Sequence, residues 1–178
     1  MAPTTIRYMK GALGIVVFTA PAVVGAEFVP HMAAFSTDRL VHAGVAAGFL
    51  VIALLLRLGK KYLPDKVSEW IPALCALYLG SWIPDWDLIA GIGFHRSPVT
   101  HSVLPLLIFA WGTGFEPRLV FPFALGLASH LFWDIVFFGN LTWISGRGAD
   151  MAWLWANLLL TLVAGLILSR QRRVETGV

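Results

Sequence analysis

The chain has 178 residues, 58% of them apolar and 13% charged; soluble domains run at about 45–50% and about 25%, so an ordinary soluble domain and a disordered chain are both excluded. A mean hydropathy of +0.77, with Gly 17, Pro 10 and Trp 8, points to helices packed in lipid. Cys75 is the single cysteine and allows neither an internal disulfide nor a thiolate metal cluster, while the net charge of +3 comes from basic residues lying between apolar runs, a matter of membrane topology rather than of nucleic acid.

A membrane-spanning helix needs roughly 17–25 mostly apolar residues. Apolar runs fall at about 11–29, 40–56, 70–84, 102–115, 119–139 and 151–169. The first, second, fifth and sixth are long enough to span unaided. The third, Trp70 to Pro84, and the fourth, Ser102 to Phe115, are short and bounded by prolines and polar residues. They either extend into their flanks or form partial helices supported by protein. The expected fold is an all-α polytopic bundle of about six transmembrane helices in one integral membrane domain, residues 1–178. Within it, residues 1–38 form an extra span and loop, 40–140 the chemical core, and 151–169 the last span.

The first run is preceded by Arg7 and Lys10 and ends in Val24-Gly25-Ala26, a spacing that also suits a signal-peptidase site. Pro21 within the run and its continuation to Val29 favour an uncleaved span. In the second run, Gly44 and Gly48 make a small-xxx-small stripe that would let another helix approach closely. With the N-terminus in the cytoplasm and six crossings, Arg7, Lys10, Arg57, Lys60, Lys61, Lys66, Arg118, Arg170, Arg172 and Arg173 lie inside. Only Arg39, Arg96 and Arg147 lie outside. Ten against three satisfies the positive-inside rule and places both termini in the cytoplasm.

Ionisable groups within spans are costly and usually functional. His42 starts the second span, and Asp85 and Asp87 end the third. His95 and Arg96 occupy the short connection, Thr100-His101-Ser102 opens the fourth span, and His130 and Asp134 lie in the fifth. A topology drawn from Lys and Arg alone brings these groups to or near the outer face. His130 and Asp134, four apart, share one helix face and can share a cation. A turn after Pro84 can aim Asp85 and Asp87 at one point. Three carboxylates in a low-dielectric region repel one another unless a cation is present, and mixed His and Asp donors suit zinc, or manganese, better than magnesium.

Taken singly, these residues have plainer readings: His42 as an interfacial residue, Asp85 and Asp87 as solvated caps, His95 and Arg96 as a solvated loop, His130 and Asp134 as a neutral hydrogen-bonded pair. Glu27, His31, Asp38 and Arg39 read as loop and boundary residues.

Three stretches, Leu79-Gly80-Ser81-Trp82-Ile83-Pro84-Asp85-Trp86-Asp87, His95-Arg96-Ser97-Pro98-Val99-Thr100-His101-Ser102 and Ser129-His130-Leu131-Phe132-Trp133-Asp134, together resemble the YdjM-type membrane-bound metal-dependent hydrolases. That family's pattern is an early His, Leu-Pro-Asp-x-Asp, His-Arg-x-x-Thr-His-Ser and His-x-x-x-Asp. The resemblance covers about Val41 to Asn140. This chain has one extra residue between Arg96 and Thr100, Leu88 where the family often has a His, and Ile135-Val136 where it often has a Thr-Pro turn. The resemblance implies a hydrolase remotely similar to zinc-dependent phospholipase C and single-strand nucleases. It implies His42, Asp85, Asp87, His101, His130 and Asp134 as metal ligands, with His95 a ligand or a residue supporting one.

The expected reaction is metal-assisted hydrolysis of a phosphoester in a lipid or lipid-linked substrate. It would take place at the extracytoplasmic face of the cell (inner) membrane, the bilayer being the chain's main partner and nucleic acid not being bound. Asp87 would accept the water proton, Arg96 would fork onto a phosphate oxygen, and Thr100 and Ser102 would hydrogen-bond the histidines. A non-catalytic membrane scaffold and, less well supported, a metal or proton transporter are the rival readings. The transporter should carry ionisable groups into the cytoplasmic half of its spans, where this sequence has none. Walker, nucleophile-elbow and His-Glu-x-x-His motifs are absent from the sequence.

Overall fold

The computed structural model describes residues 32–56, 58, 62–144 and 146–176; the first apolar run and its candidate cleavage site lie outside them. The described residues are helical, with no strand among them. Helices α1 (Met32–Leu55), α2 (Val67–Trp82), α3 (Leu104–Gly112), α4 (Pro117–Phe137) and α5 (Arg147–Thr176) follow in order, with 3₁₀ segments at Ile83–Ala90 and Ile92–Phe94 between α2 and α3.

The breaks follow local chemistry. Pro84 has no N–H to give and its ring clashes with a preceding carbonyl, so α2 tightens into a 3₁₀ turn there. Gly91, at φ +112°, adopts a backbone conformation closed to other residues and ends that turn. α3 stops where the Thr113 hydroxyl donates to the Phe109 carbonyl 2.8 Å away. Gly114 and Phe115, both at positive φ, then reverse the chain into α4.

Two helices, Pro117–Phe137 and Arg147–Arg170, are long and apolar enough to cross a membrane, and Arg39–Leu55 is a shorter apolar helix. The short third and fourth runs form helices of 16 and nine residues. At 1.5 Å per residue, nine residues extend about 14 Å and cannot cross a hydrocarbon core of about 30 Å. α3 is therefore a partial helix, one of the two outcomes expected for that run.

α4 is the central post. It is mostly buried and packs against α1, α2, α3 and α5. α5 is mostly exposed and turns Leu159, Leu160, Val163 and Ile167 outward. α2 and α4 run parallel in a register of 49 residues: Glu69 pairs with Arg118, Leu77 meets Gly126, and the Ser81 carbonyl meets His130. The contact is close because both sides are glycine. A Cβ added at Gly80 would strike the Phe123 carbonyl oxygen, and one at Gly126 the Leu77 carbonyl oxygen. The small-residue stripe expected to allow such an approach, Gly44 and Gly48, does not do so among the described residues: a Cβ at either meets nothing within 4 Å. The reason is rotational, since α1 turns Ala46, Leu50 and Ala53 inward and leaves those glycines outside.

Candidate metal centre

The parallel α2–α4 pair sets the site. From the Glu69–Arg118 ion pair to the Ser81–His130 contact is 12 residues on each helix, about 18 Å. There His130 is fully buried and its Nδ1 lies 2.9 Å from the Ser81 carbonyl. A carbonyl only accepts, so Nδ1 carries a ring proton, and in the neutral ring Nε2 presents a lone pair. His101, also fully buried, is fixed in the same sense. Its Nδ1 lies 3.2 Å from the Ser97 carbonyl and 3.1 Å from Thr100 Oγ1, whose own proton goes to Asp87 Oδ2 at 2.7 Å.

The two Nε2 atoms then face each other at 3.3 Å, so both cannot carry protons. Asp134 Oδ2 lies 3.1 Å from His101 Nε2 and 3.4 Å from His130 Nε2, yet it is a buried oxygen with no hydrogen-bond donor among the described residues. Three lone-pair-bearing atoms crowded so closely repel one another unless a cation or a shared proton lies among them. Tetrahedral ligation with bonds of about 2.0–2.1 Å puts donors about 3.3–3.4 Å apart. The observed 3.1, 3.3 and 3.4 Å fit those edges. The donor set therefore fits a zinc-sized ion.

Two overlapping groups could hold a metal, His101–His130–Asp134 and His42–Asp85–His130. They share His130, whose free Nε2 can serve one ion. Asp85 Oδ1 is 3.7 Å from that nitrogen and belongs to the second group, with His42. His42 stacks on His130 with ring centroids 4.2 Å apart, its edge meeting Trp133.

Asp85 and Asp87 each bring one oxygen to His95 Nδ1, at 3.9 and 3.4 Å, and otherwise divide the work. With three residues per 3₁₀ turn, positions two apart point about 120° from one another. Asp85 turns towards His130, whereas Asp87 Oδ2 accepts from the Ser97 N–H at 2.8 Å and from Thr100 Oγ1. Burial opposes ionisation of Asp87, but hydrogen bonds from His95, Ser97 and Thr100 hold its carboxyl below the usual carboxylate range. Only Oδ1 remains for chemistry, 3.4 Å from His95 Nδ1. His95 is partly exposed and lies 3.9 Å from Asp85 as well.

Five of the seven candidate donors fall in these two groups; His95 lies 3.9 Å from Asp85 and Asp87 3.7 Å from His101, and Thr100 reaches His101, its Oγ1 lying 3.1 Å away. Ser102 does not: its hydroxyl donates to the Val99 carbonyl and accepts from the Leu104 N–H, so it caps α3, because it sits one residue past His101 and faces the next turn. Arg96, at φ 59°, lies at the rim with its guanidinium 3.8 Å over the Phe138 ring and Nη1 donating to Asn140 at 2.9 Å.

Sequence reasoning missed the supports. Trp153 donates to the His101 carbonyl at 3.1 Å, Asn157 accepts from the Val103 N–H at 3.0 Å, and Thr142 holds the carbonyls of His95 and Arg96. Asn157, a carboxamide inside an apolar run, was the one visible signal; the Ser81 carbonyl had none. Thr100→Val removes one of the two contacts that orient His101, leaving the Ser97 carbonyl. It is expected to lower metal affinity about 10–100-fold without loss of helicity, measured by chelator competition and circular dichroism.

No protein-family model matches the chain, and comparison with curated proteins and with solved structures finds no match to it.

Proposed function

We propose that this chain is a membrane-embedded, metal-dependent hydrolase of a phosphoester in a lipid or lipid-linked substrate, of the YdjM type that its motifs resemble. The observation that carries the reading is the buried triangle of His101 Nε2, His130 Nε2 and Asp134 Oδ2 at 3.1–3.4 Å, with Asp85 beside it. The ion we assign is zinc, manganese being the second fit. Such an ion, when bound, supplies a Lewis acid for a phosphoryl oxygen and lowers the pKa of a water molecule. His101, His130 and Asp134 would hold it. The His95–Asp87 pair takes the proton of the attacking water: Asp87 Oδ1 orients the His95 ring, and His95 stands at the exposed edge. Arg96 offers its fork to a phosphate oxygen.

We place the chain in the cell membrane as a bundle of about six apolar segments, α3 being a partial one, with both termini cytoplasmic and the site towards the extracytoplasmic face. Two membrane-length apolar helices, the outward Leu, Val and Ile side chains of α5 and the ten-to-three distribution of basic residues support this.

The test is metal analysis of the full chain purified in detergent, with release of phosphate or of a phosphorylated head group from phospholipids measured alongside. About one equivalent of zinc or manganese, matching the single free Nε2 of His130, and metal-dependent hydrolysis are expected. A metal-free protein whose cluster is held by shared protons would overturn the reading.

A further inference from the structure

We propose that Thr142, in the connection between α4 and α5, is a positioning residue for the His95–Asp87 pair: it clamps the left-handed bend at Arg96 that wraps the His95–Ser97 segment around the Asp87 carboxylate. What the pair does rests on the hydrolase reading; what Thr142 does rests on the geometry alone.

Asp87 is approached from both sides of Arg96. The His95 ring lies 3.4 Å from its Oδ1, and the Ser97 N–H donates to its Oδ2 at 2.8 Å. In an extended chain a side chain stands out of the plane in which the backbone N–H groups lie, so the two meet one carboxylate only where the chain bends between them. Arg96 supplies that bend at φ 59°, a conformation few residues other than glycine adopt.

Such residues persist where their surroundings over-determine them. Here the surroundings are the residues that follow α4. Thr142 gives its two donors to successive carbonyls of the bend: its N–H to that of Arg96 at 3.0 Å, and its hydroxyl to that of His95. Asn140 Oδ1 accepts from Arg96 Nη1 at 2.9 Å, and Phe94 meets Trp143 edge to face with ring centroids 5.6 Å apart. Trp143 is itself at φ 71°, so each side of this clip carries a left-handed residue that is not glycine. The far end of the segment is held separately, by Trp153 on the His101 carbonyl and Asn157 on the Val103 N–H. Thr142 therefore governs the end that carries His95, and it acts through two backbone carbonyls rather than through the ring.

The two bonds are separable. Valine keeps the shape and the backbone N–H of Thr142 and loses the hydroxyl; serine keeps both donors. Thr142→Val and Thr142→Ser can be compared with the wild type on the full chain in detergent by metal content, by hydrogen exchange at the Ser97 amide against the amides of α4, and by metal-dependent release of phosphate from phosphatidic acid and of phosphocholine from phosphatidylcholine. Loss of one hydrogen bond raises the population of the released bend about fivefold. Thr142→Val is expected to raise exchange at Ser97 by that factor while the α4 amides and the metal content stay at wild-type level. It is also expected to lower kcat about tenfold with KM unchanged, since a misplacement of about 1 Å costs up to about 100-fold, and Thr142→Ser to restore both.

The assignment to Thr142 is overturned if Ser97 exchange in Thr142→Val matches the wild type, or if kcat holds while that exchange rises. It is equally overturned if the α4 amides and the metal content move together with Ser97, the result a merely structural contact gives. A wild type that shows the Thr142-dependent exchange at Ser97 and hydrolyses neither lipid would instead overturn the hydrolase reading and leave Thr142 as the residue that positions His95 against Asp87.

Discussion

His130→Ala is expected to empty the centre of metal, lowering affinity by more than the about 10–100-fold typical of residues that only support a ligand. His130 has no substitute, because its Nε2 belongs to both candidate donor groups and lies 3.3 Å from His101, 3.4 Å from Asp134 and 3.7 Å from Asp85. Its loss also frees the Ser81 carbonyl and leaves His42 without the ring it stacks on. Wild-type protein saturated with metal at about 100 times its dissociation constant gains about 2.7 kcal/mol over the chelated form. The variant should show no such difference. Thermal unfolding in detergent, with and without a chelator, together with metal analysis, measures both. Retention of metal by His130→Ala would remove the basis for the proposed centre.

The second large effect lies away from the donors. Gly126→Val is expected to destabilise the protein by about 3 kcal/mol, the upper end of overpacking costs, and to lower metal content with it. The first added carbon would already meet the Leu77 carbonyl oxygen and the Ser81 N at 2.8 Å, both backbone atoms that cannot rotate away. Displacing α2 here moves the Ser81 carbonyl that fixes His130 and the turn that carries Asp85. Gly48→Ala is the contrast: nothing among the described residues lies within 4 Å of the added carbon, and stability should hold or rise slightly. Denaturation midpoints of the two variants against the wild type decide the matter. An undisturbed Gly126→Val would show that the helices are not packed at this distance.

Much of the site was legible in the primary structure. Ionisable residues in an apolar chain are conspicuous, since lipid tolerates them only with a reason, and the spacing of four between His130 and Asp134 specifies a common helix face. Pro84 announced the end of α2. The grouping of His42, Asp85, Asp87, His95 and His101 at one end followed from the basic residues between the apolar runs. What stayed hidden was how each group is used. Asp87 looked like a free proton acceptor, but the backbone N–H of Ser97 and the hydroxyl of Thr100 engage one of its oxygens. Ser102 looked like a partner of the histidines but caps α3. Arg39 looked like a boundary charge but lies over Trp82.

The glycines teach the same lesson. Gly44 and Gly48 carry the recognisable spacing and face away from the described core, whereas Gly80 and Gly126, each alone in its helix, let the backbones of α2 and α4 meet. A periodic pattern reports that a helix has a face, but the rotation of that helix about its axis depends on partners distant in the chain.

Composition and the order of polar residues were sufficient for an all-helical, lipid-compatible chain with histidine and carboxylate donors near one end, because burial cost and helical periodicity act locally. The parallel register of α2 on α4, the tautomers of His101 and His130 set by two backbone carbonyls, and the division of labour between Asp85 and Asp87 were decided only in three dimensions. Each depends on distances of about 3 Å between segments tens of residues apart, and hydrogen bonds and ligand fields change over fractions of an ångström.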